Sequence, residues 1–180
     1  MPVILGRHDY NGFVNKVARL QLSALLDEAE AAVTGFELIV EERRHANGTK
    51  IIRQAIDEQF ARTGGWTKIT SGGIDWQKSS PLGAKFGVEV QVSGRSDMLA
   101  VDIMHLKEEI NHGRIDVGLI IVPHDKLSKF LTDRTPNLAT ALKHVEDRAK
   151  DMPIRVLSFG HNGVGPALGK MRTNLGRILN

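Results

Sequence analysis

Six consecutive residues without a polar side chain, Val117-Gly118-Leu119-Ile120-Ile121-Val122, stand between Asp116 and Pro123. A run this short has the length of a strand, and a strand with no polar face must be covered on both sides, as in the interior of a parallel sheet. Parallel neighbours need crossover connections, so helices should lie on either side of it in the chain. Residues 96–111 carry Met98, Leu99, Ile103, Leu106 and Ile110 at helical spacing, with Ser96 as a cap. Downstream, 124–131 and 136–150 read as two helices broken at Thr135-Pro136, and 154–159 as a last strand.

Upstream, Phe13, Val17, Leu20, Leu22, Leu25, Leu26, Ala29 and Val33 form one apolar stripe, which predicts a long helix over 12–33 ended by Gly35. A second helix is expected over 49–62, capped by Thr49 and closed by Gly64-Gly65. Between them, Glu41-Glu42-Arg43-Arg44 reads as a solvated helix face or turn. Short extended pieces follow at 66–69 and 74–76, then a loop over 79–83. Residues 85–92 alternate, placing Phe86, Val88, Val90 and Val92 on one face and Glu89 and Gln91 on the other. The expectation is an α/β domain over 1–180, a mixed central sheet flanked by helices: a mainly helical part to 65, strands and a crossover over 66–123, then helices, a strand and a glycine-rich basic tail.

Composition excludes several classes. With no cysteine among 180 residues there are no disulfides, thiolate zinc sites or cysteine nucleophiles. No apolar run approaches the roughly 18 residues of a membrane span, and the start MPVILGRHDY lacks a secretory pattern, so a cytoplasmic location is expected. The net charge of +3 is a mild excess, but after Asp151 there is no acid, whereas Arg155, Lys170, Arg172 and Arg177 follow. A basic end of this kind suits a polyanion.

One constellation can carry chemistry. Asp75 is followed, after thirteen residues, by Glu89-Val90-Gln91. With Asp75 at the end of one strand and Glu89 on its neighbour, two carboxylates and the Val90 carbonyl can converge on a hard divalent cation. Such a site polarises a phosphodiester and acidifies a bound water. An Asp before a loop and a polar strand face also suit an ordinary edge hairpin, so spacing alone leaves both readings open.

A longer stretch narrows them. Ile74-Asp75, Gly87-Val88-Glu89-Val90-Gln91, the helix from Ser96, the segment 115–123 and Lys126-Leu127-Ser128-Lys129-Phe130-Leu131 occur in that order. In this the chain resembles the BglII/BstYI-type group of Type II restriction endonucleases, within the PD-(D/E)xK nuclease superfamily, over about residues 74–135. Glu-x-Gln in place of the superfamily's usual Glu-x-Lys is characteristic of that group. The resemblance implies a restriction-endonuclease-like core, Mg²⁺ as cofactor, and a homodimer that cuts palindromic double-stranded DNA, with sites centred on GATC in the group. It implies that Asp75, Glu89 and the Val90 carbonyl hold the metal, and that Gln91 orients the attacking water. Glutamine has no useful basicity, so proton removal falls to a hydroxide on the metal or to a substrate phosphate. Glu58 is a further carboxylate to consider, although a solvent-facing position on its helix is the plainer reading. The group reads bases from a loop that corresponds here to Thr132, Asp133 and Arg134; its small-residue, serine-containing form is not reproduced, which leaves the recognition sequence open. Arginine suits guanine and aspartate suits cytosine, while a capped polar turn suits the same residues. Lys78, Lys85 and Arg95 are candidates for phosphate contacts. A nuclease of weaker specificity on the same fold and a non-catalytic DNA-binding domain are the alternatives.

Two other patterns carry less. The segment Gly160-His161-Asn162-Gly163-Val164-Gly165-Pro166-Ala167-Leu168-Gly169-Lys170 lacks a glycine at 164 and a hydroxyl at 171, so it is no nucleotide-binding phosphate loop. Glu109-Ile110-Asn111-His112, with His105 before it, lacks the second unit that a di-iron site needs.

Overall fold

The computed structural model describes residues 1–70, 73–93 and 96–170. In chain order these form β1 (Val3–Asp9), α1 (Phe13–Arg19), α2 (Ser23–Thr34), β2 (Ile39–Val40), α3 (Lys50–Thr63), β3 (Thr67–Lys68), β4 (Trp76–Ser79), β5 (Lys85–Val90), α4 (Leu99–Asn111), β6 (Val117–Pro123), α5 (Asp125–Ser128), α6 (Leu138–Arg148), β7 (Ile154–Gly160) and β8 (Gly163–Val164). The main sheet has six strands in the order β1-β7-β6-β5-β4-β3. The central β5, β6 and β7 are parallel, and the outer pairings β1–β7, β5–β4 and β4–β3 are antiparallel. The apolar run that predicts a doubly covered strand is β6, buried along its whole length between β5 and β7.

Helices cover both faces. Phe13, Val17, Ala29, Val33, Ile52, Ile56 and Phe60 of α1–α3 pack on Phe86, Val88 and Val90 of β5 and Leu119 and Ile121 of β6. On the other side, Leu99, Ile103 and Leu106 of α4 and Leu138, Ala141 and Val145 of α6 pack on Ile120, Val122, Ile154 and Val156. Each fully buried side chain of this kind stabilises the fold by about 1.5–3 kcal/mol. Strand alternation turns Gly87, Glu89 and Gln91 toward the α4 side. A Cβ on Gly87 would stand 2.5 Å from Ile115 Cδ1, so the glycine lets that face close beside the carboxylate.

Three expectations need correction. The stripe over 12–33 is two helices, not one. Leu20 and Leu22 sit about 200° apart around a helix and cannot share a face; the chain breaks there, with Gln21 at φ 54° and Leu22 N–H donating to the Val17 carbonyl at 2.9 Å. The segment Val3–Asp9, read only as a non-secretory start, is the edge strand β1. Its pairing with β7 shifts register between Ile4 and Gly6, which breaks the alternation a sequence reading relies on. The expected helix over 124–131 shrinks to α5, one turn. Asn137 caps α6 by accepting from Thr140 N–H at 2.9 Å, and Asp125 accepts from Ala139 N–H at 3.1 Å.

The glycine-rich segment belongs to the fold. β8 pairs with β2, and the fully buried Asn47 accepts from Leu168 N–H at 3.1 Å while donating to the Phe130 carbonyl at 2.9 Å. Arg155, counted above as part of a basic end, is 8% exposed and held by Asp9 and Glu30. Arg172 and Arg177 lie outside the described residues. Among the described residues, no helix is long and apolar enough to cross a membrane.

Candidate active site

The β4–β5 hairpin sets the geometry. Its turn closes through Ser80 N–H to the Ala84 carbonyl at 2.7 Å, with Gly83 at φ 80°, a conformation that favours glycine. Asp75, just before β4, donates its N–H to the Val88 carbonyl at 3.0 Å, which brings its side chain level with the end of β5. Asp75 Oδ2 accepts from Val90 N–H at 2.8 Å, and Oδ1 accepts from Arg53 Nη2 at 2.5 Å. Arg53 Nη1 also donates to the Val90 carbonyl at 2.7 Å. Thus the structure brings Asp75, Glu89, Val90 and Gln91 together, as the sequence predicts, and adds an arginine from α3.

From the opposite layer comes Asp102 of α4. Gln91 Nε2 donates to Glu89 Oε1 at 2.8 Å and to Asp102 Oδ2 at 2.6 Å. An amide nitrogen carries two hydrogens. Both have carboxylate acceptors here, so what the side chain offers a water is its carbonyl oxygen, an acceptor for the water's O–H.

Electrostatics set the site apart. Burial pushes the Glu89 carboxyl well above the usual range, and the negative charge of Asp75 beside it pushes further in the same direction. Asp102 is raised too, first by burial and then by Asp75, with His105 acting against the rise. For Asp57 of α3, burial also opposes ionisation, but hydrogen bonds from Lys68, Trp76 and Arg53 outweigh it and hold the carboxyl below its ordinary value. Crowded carboxylates in a poorly hydrated pocket ionise together only if a cation joins them.

The donor set fits a hard divalent cation. Among the described residues no three Asp, Glu or His side chains form a metal-holding group by themselves. Asp75, Glu89 and the Val90 carbonyl are hard oxygen donors, the kind with which Mg²⁺ is commonly held: one or two carboxylates plus water and substrate oxygens. A cleft of about 460 Å³ borders the site along α3, lined in part by Lys50, Arg53, Asp57, Lys68 and Trp76.

The other sequence candidates fall elsewhere. Glu58 is exposed, bonded to Gln54 at 3.0 Å and paired with Arg62 at 3.5 Å, and it lines the same bordering cleft as Arg53 and Asp57. Lys78 donates to Glu28 at 2.7 Å and to the Gly64 carbonyl at 3.0 Å, and is level with Phe86 across the hairpin. Lys85 begins β5, four residues from Glu89, about 13 Å along a strand. Arg95 lies outside the described residues. Asp133 and Arg134 are exposed in the turn that follows α5, beyond the C-terminal end of β6, while Thr132 is half-buried and its carbonyl accepts from the Thr135 hydroxyl at 2.6 Å. The Arg134 carbonyl accepts from Ser96 N–H at 2.8 Å, which ties this turn to the segment leaving β5. The Glu109–His112 pattern is ordinary helix-end chemistry, since Glu109 pairs with Arg114 at 2.8 Å and His112 Nδ1 contacts the Glu108 carbonyl at 2.8 Å.

Sequence reading misses Arg53, Asp57 and Asp102. Asp102 had a signal: it shares the helical face of Leu99, Ile103 and Leu106, an acid inside an apolar stripe. Arg53 and Asp57 are an ordinary i,i+4 pair on a helix and carry none.

Two comparisons with known proteins bear on the chain's family and fold. The family described as "Restriction endonuclease BglII/BglIII" matches residues 15–160. The crystal structure of free BglII aligns with a TM-score of 0.59 at 15% identity, over 87% of this chain and 79% of that one. At that identity the structural likeness speaks for the fold. No curated protein matches the chain.

Proposed function

The chain belongs to the BglII/BglIII family of restriction endonucleases, and from that premise we propose a Type II enzyme that hydrolyses palindromic duplex DNA at a specific site with Mg²⁺. The family makes it a DNA endonuclease acting on double-stranded DNA. The observation that carries the finer reading is the convergence of Asp75, Glu89 and the Val90 carbonyl beside a Gln91 amide held in one orientation.

In this reading Asp75, Glu89 and the Val90 carbonyl hold the cation. When bound, Mg²⁺ polarises the scissile phosphate and acidifies a water. Gln91 accepts a hydrogen bond from that water and points its lone pair at phosphorus. It removes no proton, because an amide is not a base at neutral pH. Asp102 holds the Gln91 amide from flipping. Thr132, Asp133 and Arg134, in the turn beyond β6, are this reading's candidates for base contacts, supported by the exposure of Asp133 and Arg134.

A palindrome calls for a two-fold pair of subunits. Met98, Val101 and Met104 are 49%, 41% and 37% exposed at three-residue spacing along the start and outer side of α4, an apolar stripe suited to a second copy. The test is incubation of purified protein with DNA of known, varied sequence, with Mg²⁺ and with EDTA. Discrete fragments whose ends map to one palindrome, formed only with Mg²⁺, support the reading. Uncut DNA from folded protein, or cuts everywhere, contradict it.

A further inference from the structure

Arg53 occupies the position that the cation needs. Its Nη2 is 2.5 Å from Asp75 Oδ1 and its Nη1 is 2.7 Å from the Val90 carbonyl, so one guanidinium bridges two of the three oxygens assigned to the metal. The bridge is built into the fold. Arg53 Nε donates to Asp57 Oδ2 at 3.1 Å, and Asp57 is fixed in turn by Trp76 Nε1 at 2.8 Å and Lys68 Nζ at 2.7 Å. With its side chain 18% exposed, the guanidinium is largely shielded from water, where charge acts strongly.

We propose that Arg53 competes with a divalent cation for Asp75 and the Val90 carbonyl and must release both before one is bound. This deepens the nuclease reading and rests on it. Two cations cannot share those oxygens: each repels the other, and the guanidinium hydrogens point along lone pairs that a metal would use. The release needs no unfolding. The planar guanidinium can leave only as a unit, by rotation of the side chain into the adjoining cleft, which Arg53 itself lines. Arg53 is therefore a positioning residue that sets metal affinity, holding Asp75 and the β5 end in place while competing for their oxygens.

The test is calorimetric titration of Mn²⁺ into the DNA-free protein, comparing wild type with Arg53→Met, which keeps bulk and removes charge. Competition predicts tighter Mn²⁺ binding by Arg53→Met, by about tenfold or more. If that variant does not fold, Arg53→Lys serves. A single ammonium cannot bridge both oxygens and hold Asp57, so its Mn²⁺ affinity should also exceed that of wild type. Equal or weaker binding by the folded variant overturns the role of Arg53 while leaving the metal site standing. Absence of Mn²⁺ binding by both proteins overturns the role as well, and DNA cleavage in Mg²⁺ then decides the fate of the nuclease reading separately.

Discussion

Two clusters of charge brace this fold, and they differ in their balance. At the β1–β7 edge, Arg155 grips Asp9 at 2.6 and 2.9 Å, reaches Glu30 at 3.3 Å and stands 5.0 Å over the Phe13 ring. Arg7 adds a bidentate pair with Glu30 at 2.6 and 2.9 Å. Two arginines thus face two carboxylates. At the end of β5, Arg53 and Lys68 face Asp57, Asp75, Glu89 and Asp102, two cations against four carboxylates. Carboxylates outnumber cations here, so ionising all of them calls for further positive charge, which a divalent cation would bring. The first cluster pins β1 and α2 to the sheet; the second leaves Glu89 and Asp102 resisting ionisation. Imbalance separates the two clusters more clearly than burial does, because both mix buried and exposed groups: Arg155 and Glu89 are buried, whereas Arg7 and Lys68 are exposed.

Changes to the two clusters should therefore separate activity from stability. Asp75→Ala removes a metal oxygen and should lower cleavage by about a thousandfold or more while the protein stays folded, as a fragment assay beside circular dichroism would show. Arg155→Met should do the reverse. It strands Asp9, while Glu30 keeps Arg7, and should cost about 3 kcal/mol of stability, read from urea unfolding, with the cleavage rate per folded molecule little changed. Asp102→Ala leaves the Gln91 amide free to turn and should slow cleavage about 10–100-fold with KM unmoved. Asp102→Asn, which still offers an acceptor oxygen, should recover much of that rate. Equal effects of Arg155→Met and Asp75→Ala on turnover would erase the distinction between the clusters.

What the sequence made legible follows the same division. The covered strand β6 and the alternating β5 were readable because a two-residue period and an unbroken apolar run are local patterns, whereas the Asp75/Glu89/Gln91 set stood out only through the resemblance over residues 74–135. Edge strand β1 was not, since a bulge near Leu5 and a half-exposed setting blur its alternation. Nor was the Arg53 bridge. Its partners are 22 and 37 residues away, and only the stacking of α3 over the β4–β5 hairpin brings them into reach. Lys78 shows the converse: a lysine beside a loop reads as a phosphate contact until Glu28, 50 residues away, is seen to hold it.

The charge surplus is tested most directly by thermal unfolding of wild type and Glu89→Gln at mildly alkaline pH, in EDTA and in saturating Mg²⁺. The folded pKa of Glu89 lies above its unfolded value, so its contribution is full below about pH 4 and is lost as pH rises toward the folded pKa. Glutamine carries no such penalty. The variant should therefore unfold a few degrees higher than wild type in EDTA, at about 2–4 °C per kcal/mol, with the gap closing toward pH 4. Mg²⁺ should raise the wild-type midpoint and leave the variant nearly unmoved. A wild type indifferent to Mg²⁺, beside a Glu89→Gln variant no more stable than it, would contradict the account.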